Sequence, residues 1–387
     1  MKASGITAEF DPLHDGHAYL MEETRRLTGC DALVIAMSGD FVQRGEPAVT
    51  DKWARTEAAL RTGADLIVEI PTLFCLGNAS QYASAAVRIL EECGCSVIAF
   101  GSESGDIDSI GRAAGYIREN RRAIEEGINA LVPEGLSWPA ARARVFKELS
   151  GCDIPGSSND ILGLEYVLCM EKALPVAVKR TDALSASEIR SILSKNRGRR
   201  EAALRELEGS MPEASSDALE GSALTFPDEW TKALRYAVMS SDASAIEDCP
   251  SGGEGLANLL ADAASSEDSF EGIISSVKSR RYTYTRISRL CMQTILGITR
   301  SRYPYGSPGY IRVLGFTGKG RKLLAEMKGR EGRGLPVITN INKEAGLLDE
   351  AAADMLSLDV HAADIYSLMT GRDASEYSDH VRKPVMI

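Results

Sequence analysis

The feature that most constrains this chain is the run ALVIAM at residues 32–37, six consecutive apolar residues. A strand without a polar face must be covered on both sides, as in a parallel sheet flanked by helices. Related runs occur at 2–10, stopped by Asp11-Pro12; at 65–70, stopped by Pro71; at 95–100; and at 174–179. Helical periodicity fills the intervals at 18–27, 51–61, 80–92, 106–130, 138–149 and 160–170, and a further helix opens at Ser187. Strands spaced by helices imply right-handed βαβ units. The first half is therefore expected to be α/β, with a Rossmann-like, mostly parallel sheet.

Beyond residue 196 the pattern changes. Residues 197–270 are rich in Ala, Ser, Asp and Glu and read as helical, with a loop at 209–226. Residues 286–299 put apolar side chains on one helical face, and 311–316 and 337–339 read as short strands around a helix at 319–328. A chain of 387 residues suggests two domains, expected at 1–196 and at a mainly helical 197–387. The net charge of −11 disfavours indiscriminate coating of nucleic acid, yet it hides a split. Residues 201–270 hold 15 acids and 3 bases, whereas 271–335 hold 14 bases and 3 acids. Such a switch fits either a face that meets a polyanion or basic helices that pair with the acidic segment. The eight cysteines contain no C-x-x-C, which disfavours a disulfide scaffold or a zinc ribbon. No apolar run reaches the roughly 18–20 residues of a membrane span. The opening MKASGITAEFDP meets an acid and a proline too early for a signal peptide. A cytoplasmic protein with no membrane partner is expected.

Chemistry concentrates at Leu13-His14-Asp15-Gly16-His17, just after the first strand. In an open parallel sheet, ligands bind at the carboxyl ends of strands, most often at the first strand-to-helix turn. A helix N-terminus there offers free N–H groups and a positive dipole end to a phosphate. His14 and His17 add donors that can hold phosphate oxygens, and Gly16 would allow close backbone approach. A zinc reading, with Glu9 and Asp11 beside the two histidines, ranks below phosphate because no further Cys/His cluster joins them. A second signal, Ser185-Ala-Ser-Glu-Ile-Arg190, combines hydroxyl residues at a helix start with an arginine fork. Alone it is also an ordinary capping sequence. Trp53 and Trp138 read as helix anchors.

Together, the His-x-Gly-His turn and the ISSxxIR-type segment ending at Arg190 resemble the signature of HUP-type nucleotidyltransferases. Further segments narrow this: Gly39-Asp-Phe-Val-Gln-Arg-Gly-Glu-Pro-Ala48, Lys52-Trp-Ala-Arg-Thr56, Phe100-Gly-Ser-Glu103 and Asn159-Asp-Ile-Leu-Gly-Leu-Glu-Tyr166. They resemble the tRNA(Met) cytidine acetate ligases, and the likeness extends over most of the chain, weakest at 200–270. The resemblance implies a two-step reaction. Acetate and ATP, with Mg²⁺ accompanying the nucleotide, give acetyl-adenylate and pyrophosphate. The acetyl group then passes to N4 of the wobble cytidine of elongator tRNA(Met). It implies His14 and His17 as catalytic residues. It implies ATP contacts from Thr7, Ala8, Glu9, Phe10, Asp11, Pro12, Leu13, His14, Asp15, Gly16, His17, Leu20, Gly101, Asn159 and Arg180, with Ser185, Ser187 and Arg190 closing over pyrophosphate. No protein-bound metal is expected. Asp11 and Asp15 stand where the family usually carries asparagine; their charge lowers ATP affinity unless Mg²⁺ or a basic residue offsets it.

For RNA, the candidates are Lys278, Arg280, Arg281, Arg286 and Arg289, interleaved with Tyr282 and Tyr284, and then Lys319, Arg321 and Lys322. Cations position phosphates, and tyrosines stack unpaired bases. Two rival functions stay open at this stage: an adenylyltransferase acting on a small phosphorylated metabolite, and a non-catalytic RNA-binding protein.

Overall fold

The computed structural model describes residues 1–303, 306–329 and 334–387. Of the basic stretch 271–335, residues 304, 305 and 330–333 therefore lie outside the described residues. The strands are β1 (Ala3–Ala8), β2 (Ala32–Ser38), β3 (Phe41–Val42), β4 (Glu46–Pro47), β5 (Leu66–Ile70), β6 (Cys95–Ser102), β7 (Leu174–Lys179), β8 (Ile311–Phe316), β9 (Val337–Ile338) and β10 (Val385–Met386). The helices that matter below are α1 (Asp15–Thr28), α2 (Lys52–Arg61), α3 (Ala79–Glu92), α4 (Ser158–Cys169), α5 (Ala186–Lys195), α6 (Tyr284–Ile295), α7 (Gly318–Lys328) and α8 (Glu350–Met369).

An eight-stranded sheet runs in the order β10-β8-β5-β2-β1-β6-β7, with β9 on β8, and β3 and β4 form a separate hairpin. The expected Rossmann-like parallel sheet is present: β5, β2, β1, β6 and β7 pair in parallel. β2 is its centre. Ala32, Val34 and Ala36 point into one core and Leu33, Ile35 and Met37 into another, which is why the run carries no polar face. Burying each of the larger side chains contributes about 1.5–3 kcal/mol. The strand order turns at β1: β2 lies on one side and β6 on the other, which opens a crevice at the carboxyl ends.

The second half completes this sheet. β8 pairs antiparallel with β5, with Phe316 opposite Leu66. The register carries α7, with Lys319, Arg321 and Lys322, to the amino-terminal ends of the parallel strands, opposite the crevice. The Thr317 N–H accordingly donates to the Asp65 carbonyl (2.9 Å).

Two sequence expectations need correction. The interval 209–226 is not all loop, because Glu213–Gly221 is helical, with Leu219 buried. The Ser215 hydroxyl donates to the Leu13 carbonyl (2.6 Å), so this helix supports the first βα turn from below. Trp53 is buried, but Trp138 is 52% exposed and anchors little.

Asp379, from the C-terminal segment, joins a buried ion cluster. Lys52 Nζ reaches Glu69 (2.8 Å) and Asp379 (2.7 Å), and Asp40 lies at 3.9 Å. The Thr72 N–H donates to Asp359 (2.7 Å) on α8, and the Tyr366 hydroxyl donates to the Ala48 carbonyl (2.8 Å). The C-terminal segment therefore braces the loop that follows β2.

Candidate active site

His14 and His17 are fixed by helix capping. His14 is the N-cap of α1, and its Nδ1 accepts from the Gly16 N–H (3.1 Å). His17 Nδ1 accepts from the His14 N–H (3.3 Å), and Phe10 meets the His17 ring edge-on at 5.1 Å. The two imidazoles stack with centroids 3.8 Å apart. Burial, with Arg180 nearby, lowers the His14 pKa to about 4; burial, His14 and Arg180 together push His17 well down. Both rings are thus neutral at pH 7. Since each Nδ1 accepts, the hydrogen-bond pattern assigns the proton to Nε2, leaving one N–H donor per ring. Gly16 has a role the sequence reading missed: a Cβ there would lie 2.9 Å from His14 Cε1. Its small size seats the His14 ring.

Thr7, His14, Gly16, His17, Leu20, Gly101, Asn159 and Arg180 line one pocket at the carboxyl ends of β1, β6 and β7, joined by Tyr19, Phe100 and Tyr166 among others. Its volume is about 90 Å³. That is below the roughly 300 Å³ of typical small-molecule sites, so it can enclose part of a nucleotide and leave the rest at the open rim. Asn159, in the first turn of α4, donates from Nδ2 to Glu103 (2.6 Å). Asp160 accepts from Ser157 (2.7 Å) and from Ser102. A Cβ at Gly163 would come 2.4 Å from the Phe100 ring, so that glycine lets α4 lie against β6. These contacts join the Phe100–Glu103 segment to the segment that opens α4. The Arg180 N–H donates to the Ser102 carbonyl (2.9 Å), placing its side chain at the rim.

The other expected nucleotide contacts lie elsewhere. Ala8, Phe10, Pro12 and Leu13 are buried, and Asp15 donates its N–H to the Ser210 carbonyl (3.2 Å). Glu9 accepts from the Gln43 N–H (2.8 Å). Buried Asp11 accepts from the Val49 N–H (2.6 Å) and pairs with Arg190 at 3.2 Å. A basic residue therefore does offset Asp11, whose carboxylate does not line the pocket. Glu9 and Asp11 are engaged away from the histidines, and among the described residues no group of three or more His, Cys, Asp or Glu is placed to hold a metal. Ser185 caps α5 by accepting from the Glu188 N–H (3.3 Å). Ser187 accepts from Arg44 (3.0 Å) and Arg190 (3.3 Å). Ser187 and Arg190 line a second hollow, described below.

The loop after β2 ties these parts together. Buried Arg55 donates to the carbonyls of Glu9 (2.7 Å), Ser38 (3.0 Å) and Thr50 (3.0 Å), and also to that of Gly39. The β3–β4 hairpin docks on α6, where the Ser288 hydroxyl donates to the Gly45 carbonyl (2.6 Å).

The expected RNA residues fall into three groups. Lys278 and Arg280 are exposed. Arg281 and Arg286 both pair with Glu254, at 3.2 and 3.1 Å. Arg289 is 8% exposed and donates to the Gln43 carbonyl (3.3 Å). Part of the opposite charge read in the sequence is thus neutralised internally.

Comparison with known proteins agrees with this geometry. The HIGH Nucleotidyl Transferase family matches residues 1–380. A tRNA(Met) cytidine acetate ligase of Clostridium novyi is 33% identical over 416 residues, covering 100% of both chains. One of Acetivibrio thermocellus is 32% identical, covering 95% of this chain and 94% of the relative. The chain belongs to the tRNA(Met) cytidine acetate ligase family. Among solved structures, Thermotoga maritima TmcAL bound with alpha-thio ATP superimposes with a TM-score of 0.90 at 29% identity, over 100% of both chains. The apo form of the same protein gives the same score.

Proposed function

We propose that this chain is an ATP-dependent ligase that activates acetate as acetyl-adenylate and transfers the acetyl group to N4 of the wobble cytidine of elongator tRNA(Met). One observation carries the reading. The residues that the family likeness assigns to ATP, from Thr7 through His14, His17, Gly101 and Asn159 to Arg180, surround a single pocket at the switch point of the sheet. The full-length neighbour with an ATP analogue supports it. Neither rival, a metabolite adenylyltransferase or a non-catalytic RNA binder, draws comparable support from full-length relatives.

In the first step an acetate oxygen attacks the α-phosphorus and pyrophosphate leaves. The Nε2–H groups of His14 and His17 donate to phosphate oxygens as negative charge builds on them, and Arg180 neutralises part of that charge. In the second step the cytidine N4 attacks the acetyl carbonyl carbon. The bond from that carbon to the AMP phosphate oxygen breaks, and N4 loses a proton. Residues 1–196 carry the nucleotide chemistry in this reading, and the part at 271–335 faces the tRNA in the cytoplasm, with exposed Lys278 and Arg280 among its cations. Mg²⁺ accompanies the triphosphate; among the described residues no group of three or more His, Cys, Asp or Glu is placed to hold it, and no step here runs through it. No helix among the described residues is long and apolar enough to cross a membrane. The test of the first step is exchange of labelled pyrophosphate into ATP. Exchange that depends on acetate is expected; exchange with a phosphorylated metabolite but not with acetate would overturn the reading.

A further inference from the structure

The hollow lined by Glu46, Ser187, Arg190, Arg197, Phe226 and Tyr284 measures about 480 Å³, within the range of small-molecule sites. Its wall includes Ser187 and Arg190 of α5, which opens three residues after Ala183 in the lining of the nucleotide pocket. Arg190 forms part of its wall and also donates to the Asp11 carbonyl (2.5 Å), in the same βα turn as His14. The wall joins three kinds of chemistry. Tyr284 supplies a half-buried ring, whereas Phe226 is buried with Arg197 lying over its ring at 4.6 Å. Arg190 and Arg197 supply donors. Glu46, on the hairpin that follows β2, supplies a carboxylate; the Arg44 side chain beside it has a buried Nε without a hydrogen-bond partner. Exposed Lys278 and Arg280 lie six and four residues before Tyr284, in the segment that leads into α6.

We infer that this hollow seats the acceptor base, an unpaired cytosine turned out of the tRNA loop, with its ring on Tyr284 and its exocyclic amine on Glu46. Bases that undergo chemistry are taken out of the stack into such pockets, and a carboxylate is the natural acceptor for a cytosine amine. Uracil would present an oxygen to the same carboxylate and be rejected. Lys278 and Arg280 then hold phosphates outside the hollow.

This inference rests on the tRNA-ligase reading, and its test separates the two. The probe is an elongator tRNA(Met) anticodon stem–loop with the fluorescent cytosine analogue pyrrolocytosine at the wobble position. Stacking in the wild-type protein is expected to quench it. Tyr284→Leu should abolish the quenching and slow acetyl transfer roughly 10- to 100-fold, leaving acetate-dependent pyrophosphate exchange unchanged. Tyr284→Phe, which keeps the ring, should restore both quenching and transfer. Independently, Glu46→Gln should narrow the preference for wobble cytosine over uracil stem–loops roughly tenfold or more. If the wild type acetylates tRNA but Tyr284→Leu transfers and quenches normally, the hollow is not the base site. The same holds if exchange and transfer fall together in Tyr284→Leu while Glu46→Gln keeps full discrimination. Absence of acetate-dependent exchange in the wild type would instead overturn the ligase reading.

Discussion

At the residue scale, the account turns on two neutral imidazoles. Replacing His17 by alanine removes one preorganised donor, a change that costs about 10²–10³-fold in comparable sites. His17→Ala should therefore cut acetate-dependent pyrophosphate exchange by that order, with tRNA affinity, measured by filter binding, nearly unchanged. A second prediction concerns protons. The His14 pKa is about 4 without ligand, and a bound triphosphate raises it by favouring the charged ring. Affinity for ATP should accordingly increase as pH falls through the bound-state pKa and level off near the free value. Calorimetry in buffers of different ionisation enthalpy should show more proton uptake for the wild type than for His14→Ala; equal uptake would contradict the assignment. The sequence showed that His14 and His17 belong together, but not how. Their Nδ1 atoms bond to backbone N–H groups within a single helical turn, so the tautomer and the need for Gly16 emerge only with the fold. Asp11, a negative charge expected to weaken ATP binding, is instead held by Arg190 and the Val49 N–H. Residues 179 and 38 positions away are not legible from a local motif.

At the element scale, the parallel strands were legible because burial on both faces leaves a continuous apolar run, as in β2. The β3–β4 hairpin was not, since two strands of two residues each carry no period. Nor was helix Glu213–Gly221, hidden in an interval rich in Gly, Pro and Ser. The hairpin is nevertheless what gives the Gly39–Ala48 segment its role. Gly45 has φ +87°, and a Cβ there would lie 2.3 Å from the Arg289 backbone nitrogen. Gly45→Ala should destabilise the protein by about 1–3 kcal/mol through strain and overpacking, read by denaturant unfolding. Because the same hairpin carries Glu46, transfer to tRNA should suffer more than adenylate formation; equal losses would show that the hairpin serves both steps alike.

At the scale of the molecule, the C-terminal segment closes the structure onto the loop after β2. Lys52 is enclosed by Glu69, Asp379 and Asp40. Lys52→Met would strand these carboxylates and should cost about 3–5 kcal/mol, measurable by chemical denaturation. Burial raises the Asp40 pKa to about 6 and also pushes Glu69 and Asp359 upward. Acids raised in the folded state contribute stability that is fully present below their unfolded pKa values and is lost as pH rises through the folded ones. Above about pH 6.5, where the two depressed histidines no longer contribute, the melting temperature should therefore fall towards about pH 8; a rise over that window would contradict the cluster. None of this was legible in the sequence, because Asp379 meets Lys52 across 327 positions. The central claim, that one chain activates acetate at the two-histidine pocket and delivers it to tRNA, has a direct test. Purified enzyme is incubated with ATP, isotopically labelled acetate and elongator tRNA(Met), and the tRNA nucleosides are analysed by mass spectrometry. Labelled N4-acetylcytidine at the wobble position with the wild type, and its loss with His17→Ala, is the predicted result; unlabelled tRNA from the wild type, or undiminished labelling with His17→Ala, would contradict the account.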